Sequence, residues 1–343
     1  MRDAHASIAI RMYFRAVSPI RPVPAPPPGN PYGHASRFRA VPDVWRLGAG
    51  PEQARIAVVG CGGAGCNTLR RLGTPSGWER IAVNDAPHPS MAGIPQRILV
   101  RPDVLRSFAS MDERAVQNME THEERDLSTA ILDRDVVIAL GGLGGNLGGW
   151  AMSLVGRVAR ILGDTTVALA TVPFGAEGAL RREAAQEQLD LLRRKCDGVV
   201  TFANDALLRL APNLPLVKSF AVLGSVMSRF TTGLGTSVSR EDAVPLKRFL
   251  ARSREWRYGM GSGSEKHRCF LAVDEAYASP WFASRPEDLR QAIVLMGMPP
   301  GGGFEEEILH EIRVRSPGVD LAWGVLPETA AGDRVVVQIL GGL

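Results

Sequence analysis

Four glycines crowd into the six residues Gly60-Cys61-Gly62-Gly63-Ala64-Gly65. The run before them, Ile56-Ala57-Val58-Val59, is apolar and reads as a short buried strand, and Thr68-Leu69-Arg70-Arg71-Leu72 after them reads as the start of a helix. A strand, a glycine turn and a helix together aim unpaired backbone N–H groups and a helix N-terminus at one point, which is how a phosphate is held. Side chains on the turn would block close approach, so glycine is required there. A plain tight turn needs only one or two glycines, and the density here points to a phosphate site.

The chain has 343 residues, enough for two domains with buried cores. With 45% hydrophobic and 22% charged residues it has the balance of an ordinary globular protein. No apolar run approaches the ~18 residues that a membrane span needs. The formal charge of +4 is unevenly placed, because residues 1–50 hold seven Arg against two Asp. The rest is close to neutral and offers no specific nucleic-acid face. Residues 1–50 also hold eight of the 24 prolines, mostly in Ile20–Pro31, so they are expected to form a disordered, polyproline-like basic extension without a core. Arg11 and Arg15 break up its apolar start and disqualify it as a secretory signal. Such an arm suits an anionic membrane or an acidic partner. The four Cys and six His show no metal-ligand spacing, so no metal site is expected and the thiols fit a reduced cytoplasm.

From residue 54 to 220, strand-like and helix-like runs alternate, the signature of a parallel α/β sheet. Ile81–Asp85 is a second strand and carries Asn84 at its end. Val136–Leu140 runs into a second glycine turn, Gly141–Gly149, and then a helix from Trp150 to about Leu162. Val167–Val172 leads to Pro173–Gly178, a charged helix spans Arg181–Lys195, and Gly198–Phe202 delivers Asn204-Asp205. An apolar helical run at 214–232 links the halves. Beyond Ser262, helices at 270–278 and 305–312 and strands at 292–296, 321–326 and 334–340 describe a smaller α+β unit, with no C-terminal tail expected after the last strand. The fold class is thus α/β, a Rossmann-like nucleotide-binding domain joined by a central helix to a smaller α+β domain. The divisions are an extension over 1–50, a nucleotide domain over 51–213, a connecting helix over 214–235 and a C-terminal part over 236–343.

Two functional readings stand at this point. Gly60-x-Gly62-x-x-Gly65 satisfies the dinucleotide fingerprint, with Asp85 20 residues on as the ribose-binding acid, which gives an NAD(P)-dependent Rossmann oxidoreductase. That reading leaves the second glycine turn without a role, and no His, Lys or Tyr constellation stands out for hydride transfer. Alternatively, the two turns hold different phosphates of one nucleotide. Glu177 and Arg181 then reach the ribose, Asn204 the base edge, and Phe220 stacks. This ordered set, over about residues 54–343, resembles the tubulin/FtsZ family. Gly60–Asn67 is similar to its first phosphate loop, with a spelling closest to archaeal FtsZ, and Gly141–Gly149 occupies the tubulin signature position. Thr171-Val172-Pro173-Phe174 through Glu177-Gly178 and Arg181 resembles the FtsZ ribose loop, and Asn204–Leu208 the loop whose Asn reads guanine. Tyr258–Gly263 resembles the strand entering the second domain, and Pro317–Leu343 the end of the C-terminal domain.

The resemblance implies a cytoplasmic protein of the division ring or inner membrane surface that binds GTP or GDP, with Mg2+ accompanying the nucleotide, and assembles head to tail with itself. Acids of one subunit polarise water at the nucleotide of the next. The nucleotide-binding residues it implies are Gly62, Gly63, Ala64, Gly65, Cys66, Asn67, Asn84, Gly142, Gly144, Gly145, Asn146, Glu177, Arg181, Asn204 and Phe220. The catalytic ones are Asp242 and Glu241. Departures from the family cluster on function. Gly145 and Leu147 replace two signature Thr residues, and Arg106–Arg114 has no glycine where the γ-phosphate loop is expected. Ser225 stands at the guanine-reading Asp. Ser237 and Ser239 replace the first two positions of the Asn-x-Asp-x-x-Asp catalytic loop, leaving Asp242 with Glu241 beside it. Both acids also suit a plain helix start. The expectation is a divergent member with weak or absent GTP hydrolysis, assembling by itself or with a standard FtsZ.

Overall fold

A computed structural model describes residues 44–73, 75, 77–109, 121–210, 215–253, 255–326 and 333–343. Most of the basic extension lies outside these residues. The strands are β1 (Val44–Arg46), β2 (Ile56–Cys61), β3 (Glu79–Asn84), β4 (Gln96–Leu99), β5 (Val136–Gly142), β6 (Thr165–Val172), β7 (Gly198–Ala203), β8 (Trp256–Gly263), β9 (Gln291–Gly297), β10 (Asp320–Val325) and β11 (Val335–Gly342). Among the described residues they form one sheet in the order β1-β10-β9-β11-β8-β7-β6-β5-β2-β3-β4. The helices are α1 (Gly62–Leu69), α2 (Pro102–Ala109), α3 (His122–Ile131), α4 (Gly148–Leu162), α5 (Ala179–Lys195), α6 (Asp205–Leu210), α7 (Leu216–Ser237), α8 (Ala243–Leu250), α9 (Arg268–Tyr277) and α10 (Glu305–Arg315).

Strands β2 to β7 are all parallel. A parallel sheet is covered by helices on both faces, so its central strands are apolar throughout, and every residue of β2 is buried. Successive side chains point to opposite faces. Ile56 and Val58 join a core with Cys66 and Leu69 of α1 and Leu223, Met227 and Phe230 of α7. Ala57, Val59 and Cys61 join the other core, with Leu127 of α3, Val155 of α4 and Leu192 of α5. The C-terminal half is mixed: β10 runs parallel to β9, and β11 antiparallel to β8 and β9. The halves meet where Val200 of β7 pairs with Trp256 of β8.

Two boundaries differ from the sequence reading. The linking helix runs on to Ser237, through Gly233 and Gly235. These glycines do not end the helix; they give clearance, since a Cβ on Gly235 would lie 2.3 Å from the Trp78 ring. The basic extension ends before residue 50, because Val44–Arg46 pairs in parallel with Leu321–Trp323. Leu47 is buried and donates its N–H to the Trp323 carbonyl at 2.7 Å. Three strand residues between Pro42 and Gly48 are too few to show a period. Among the described residues no helix is long and apolar enough to cross a membrane.

Candidate functional site

Within the parallel half the strand order is β4-β3-β2-β5-β6-β7. The chain winds outward in opposite directions from β2 and β5, and such a reversal opens a crevice beyond the strands' C-terminal ends. Both glycine turns leave these two strands. A cavity of about 290 Å³ occupies the crevice.

The first four N–H groups of any helix lack an intrahelical partner. Neither α1 nor α4 has a side-chain cap or an acid in its first turn. Their N-termini converge: a Cβ on Gly62 would lie 3.4 Å from the backbone of Gly148. Gly62 has φ 67°, a left-handed conformation that favours glycine. A Cβ on Gly63 or Gly145 would meet nothing within 4 Å. Two uncapped helix N-termini with positive dipole ends therefore face one glycine-lined space, an environment suited to phosphates.

The flank is polar and aromatic. The Glu177 carboxylate accepts the Phe174 N–H at 2.7 Å and pairs with Arg181 at 3.0 Å. Phe174 meets Phe220 edge to face, with centroids 5.9 Å apart, and Phe220 remains 44% exposed. Asn204 is 4% exposed, yet its buried Oδ1 has no hydrogen-bond partner in the protein. An orphaned buried acceptor costs about 1–3 kcal/mol, and a ligand donor would offset that cost. Asn84 and Asp85 line the β3 side and offer oxygen donors of the kind Mg2+ takes.

No protein-family model matches the chain. The chain is 31% identical over 289 residues to the cell division protein FtsZ of Methanothermobacter thermautotrophicus, covering 80% of this chain and 75% of that one. The chain belongs to the FtsZ family. An FtsZ dimer from M. jannaschii superposes with a TM-score of 0.74 at 26% identity, over 85% of this chain and 88% of that one. CetZ2 from Haloferax volcanii, a GTPγS-bound protofilament, shares the fold at a TM-score of 0.65 and 17% identity, over 84% and 92% of the two chains. These FtsZ relationships do not favour the oxidoreductase reading.

The residues named from the FtsZ resemblance divide by position. Gly62, Gly63, Ala64, Asn84, Gly142, Gly145, Asn146, Glu177, Arg181, Asn204 and Phe220 line the cavity. Gly65, Cys66, Asn67 and Gly144 are not among the lining residues. Gly65 faces the sheet, where a Cβ would lie 2.0 Å from the Leu140 carbonyl. The Cys66 thiol is buried and directed at the Gly60 carbonyl, and burial pushes its pKa up to about 11. Asn67 is exposed and its carbonyl accepts from Arg71. Gly144 donates its N–H to Gln188 at 2.8 Å. Leu147, at a signature Thr position, also lines the cavity, as do Cys61, Leu143 and Gly148, which carried no separate signal, since only their place beside the glycines puts them there. Ser225 turns its hydroxyl back to the Ala221 carbonyl at 3.0 Å. Of Arg106–Arg114, residues 110–114 lie outside the described residues.

The segment that the FtsZ resemblance assigns to the catalytic loop lies at the other end of the strands. Asp242 is buried, and its Oδ2 accepts from Gly48 N at 2.7 Å, Ser239 N at 2.8 Å and Ser239 Oγ at 2.8 Å. Glu241 is exposed and lies over Gly50, where a Cβ would come 1.9 Å from its Oε2. Arg240, preceding Glu241, pairs with Glu52 at 2.8 Å and Asp135 at 3.6 Å. The next residue, Ala243, accepts from Thr165 Oγ1 at 2.7 Å. Thr165 opens β6, whereas Thr171 near its end lines the cavity. They are six residue steps apart along the strand, roughly 20 Å.

Proposed function

We propose that the chain binds GTP or GDP, with Mg2+, in this cavity and assembles head to tail with further copies of itself, hydrolysing GTP weakly or not at all. The observation that carries this reading is the separation of the cavity from Asp242 and Glu241. In a single chain they lie at opposite ends of β6. Stacking one copy's strand-start end on the next copy's cavity is the arrangement that joins them. The dimer and protofilament named for its structural relatives support such stacking.

Within the site, the N–H groups opening α1 and α4 hold the phosphates. Arg181 and Glu177 position the ribose, Phe220 stacks on the base and Asn204 hydrogen-bonds its edge. Phosphoryl transfer needs mainly a placed water and stabilised charge. Asp242 already accepts three internal hydrogen bonds through one oxygen, which commits that oxygen within its own chain instead of to a water at a neighbouring copy's nucleotide. Exposed Glu241 is the other acid that a neighbouring copy would meet. Slow or absent turnover follows, and a chain of this kind can co-assemble with a hydrolysing FtsZ and regulate it at a division ring, its basic extension meeting a membrane or an acidic partner.

The test is GTP turnover measured with light scattering across a range of protein concentrations. GTP-dependent scattering with little turnover is expected. Turnover that climbs cooperatively with concentration would overturn the weak-hydrolysis part. Absence of guanine nucleotide from the purified protein, with NAD(P) recovered instead, would overturn the reading altogether.

A further inference from the structure

The cavity has a phosphate end and a base end, both set by the strands. The uncapped N-termini of α1 and α4 follow β2 and β5, which are neighbours. Asn204 follows β7, two strand spacings beyond β5, or roughly 10 Å. The exposed ring of Phe220 lines the same cavity and packs on Phe174, which follows β6. Phosphates on the helix N-termini put the base of the same nucleotide against Asn204 and Phe220.

Guanine differs from other purines in its exocyclic amine beside a ring N–H, two donors that one carboxylate takes together. Among the described residues, the carboxylates that line the cavity are those of Asp85 and Glu177. Asp205 is not among the lining residues, and its two oxygens share the Gly175 N–H at 3.1 and 3.2 Å. Glu177 is engaged by Phe174 N and Arg181. Asp85 follows β3, four spacings from β7, or roughly 19 Å away. Ser225 is a neutral hydroxyl bonded to its own helix. What remains is the unpartnered Oδ1 of Asn204. This amide oxygen is neutral and so lacks the charge that favours guanine's paired donors, while guanine, hypoxanthine and adenine each carry at least one N–H donor for it.

We infer that base selection rests on Asn204 alone, so that the cavity takes purine nucleotides with little preference for guanine. This deepens the nucleotide-site reading above and rests on it. The test uses the full chain with fluorescent N-methylanthraniloyl GTP, and displacement by unlabelled GTP, ITP and ATP. A neutral hydrogen bond is worth about tenfold in affinity at most, so the three dissociation constants are expected to agree within about tenfold. Asn204→Ala should weaken all three by a similar factor. A preference for GTP above about tenfold over either competitor, or selective loss of GTP alone in Asn204→Ala, overturns the inference and leaves the nucleotide site standing. Failure of every triphosphate to bind overturns both.

Discussion

The acid that the family resemblance assigns to catalysis is also a structural hub. Asp242 Oδ2 ties Gly48 to the turn at Ser239, and hydrogen bonds to a charged acceptor are each worth about 1.5–3 kcal/mol. Asp242→Ala is therefore expected to lower stability by about 2–4 kcal/mol in urea denaturation, with little change in an already low GTP turnover. Unchanged stability with turnover abolished would instead make it a working catalyst. A second acid sets a pH dependence. Burial raises the Asp164 carboxyl to about 7, against the pull of Lys247, and its Oδ2 is buried without a partner. A carboxyl with a raised folded pKa binds its proton more tightly when folded. Its contribution is thus complete below the ordinary value of about 3.9 and is lost as pH climbs through about 7. Asp164→Asn, neutral at every pH, should be more stable than the parent at pH 8, with the gap closing toward pH 4. Urea midpoints at pH 4.5, 6 and 8 measure this, and a constant gap would show that Asp164 ionises normally.

The glycine turns show how far local chemistry can be read. Strands β2, β5 and β6 are legible because burial on both faces makes them continuous apolar runs, and their turns are legible because glycine density has few causes. The roles inside the turns are not legible, since approach to a phosphate and approach to a backbone both demand the loss of Cβ. Gly65 and Gly145 look alike in the sequence, yet one faces the Leu140 carbonyl and the other open space. Among the described strands, β1 and β4, at three and four residues, were missed because so short a segment has no measurable period. Substitution separates the two kinds of glycine. Gly145→Ala should leave stability within about 0.5 kcal/mol while lowering nucleotide affinity about tenfold, as its methyl enters the space beside the helix N-termini. Gly148→Ala places a Cβ 2.3 Å from the Gly142 carbonyl and should cost about 3 kcal/mol as well as binding. Thermal melts with nucleotide titration check both, and equal behaviour of the two variants would contradict this division.

At the scale of the molecule, β1 precedes the nucleotide half in sequence but completes the edge of the other half. It pairs with β10, and Trp45 packs on Phe249 of α8 with centroids 6.1 Å apart. Arg46 lies 5.3 Å over the Trp323 ring, and Leu47 enters the core shared with β2. One short segment therefore touches the outer edge strand, Asp242 and the core under the candidate nucleotide site. Burying each large apolar side chain contributes about 1.5–3 kcal/mol, and an uncovered β10 would present open backbone groups to other chains. A chain beginning at Pro51 is therefore expected to be less stable than one beginning at Val44 by about 3–5 kcal/mol and to associate in a way that does not depend on nucleotide. Urea denaturation and sedimentation of the two chains without GTP measure both effects. Equal stability would mean that the halves hold together without this clasp, and that the Gly48 contact to Asp242 is incidental.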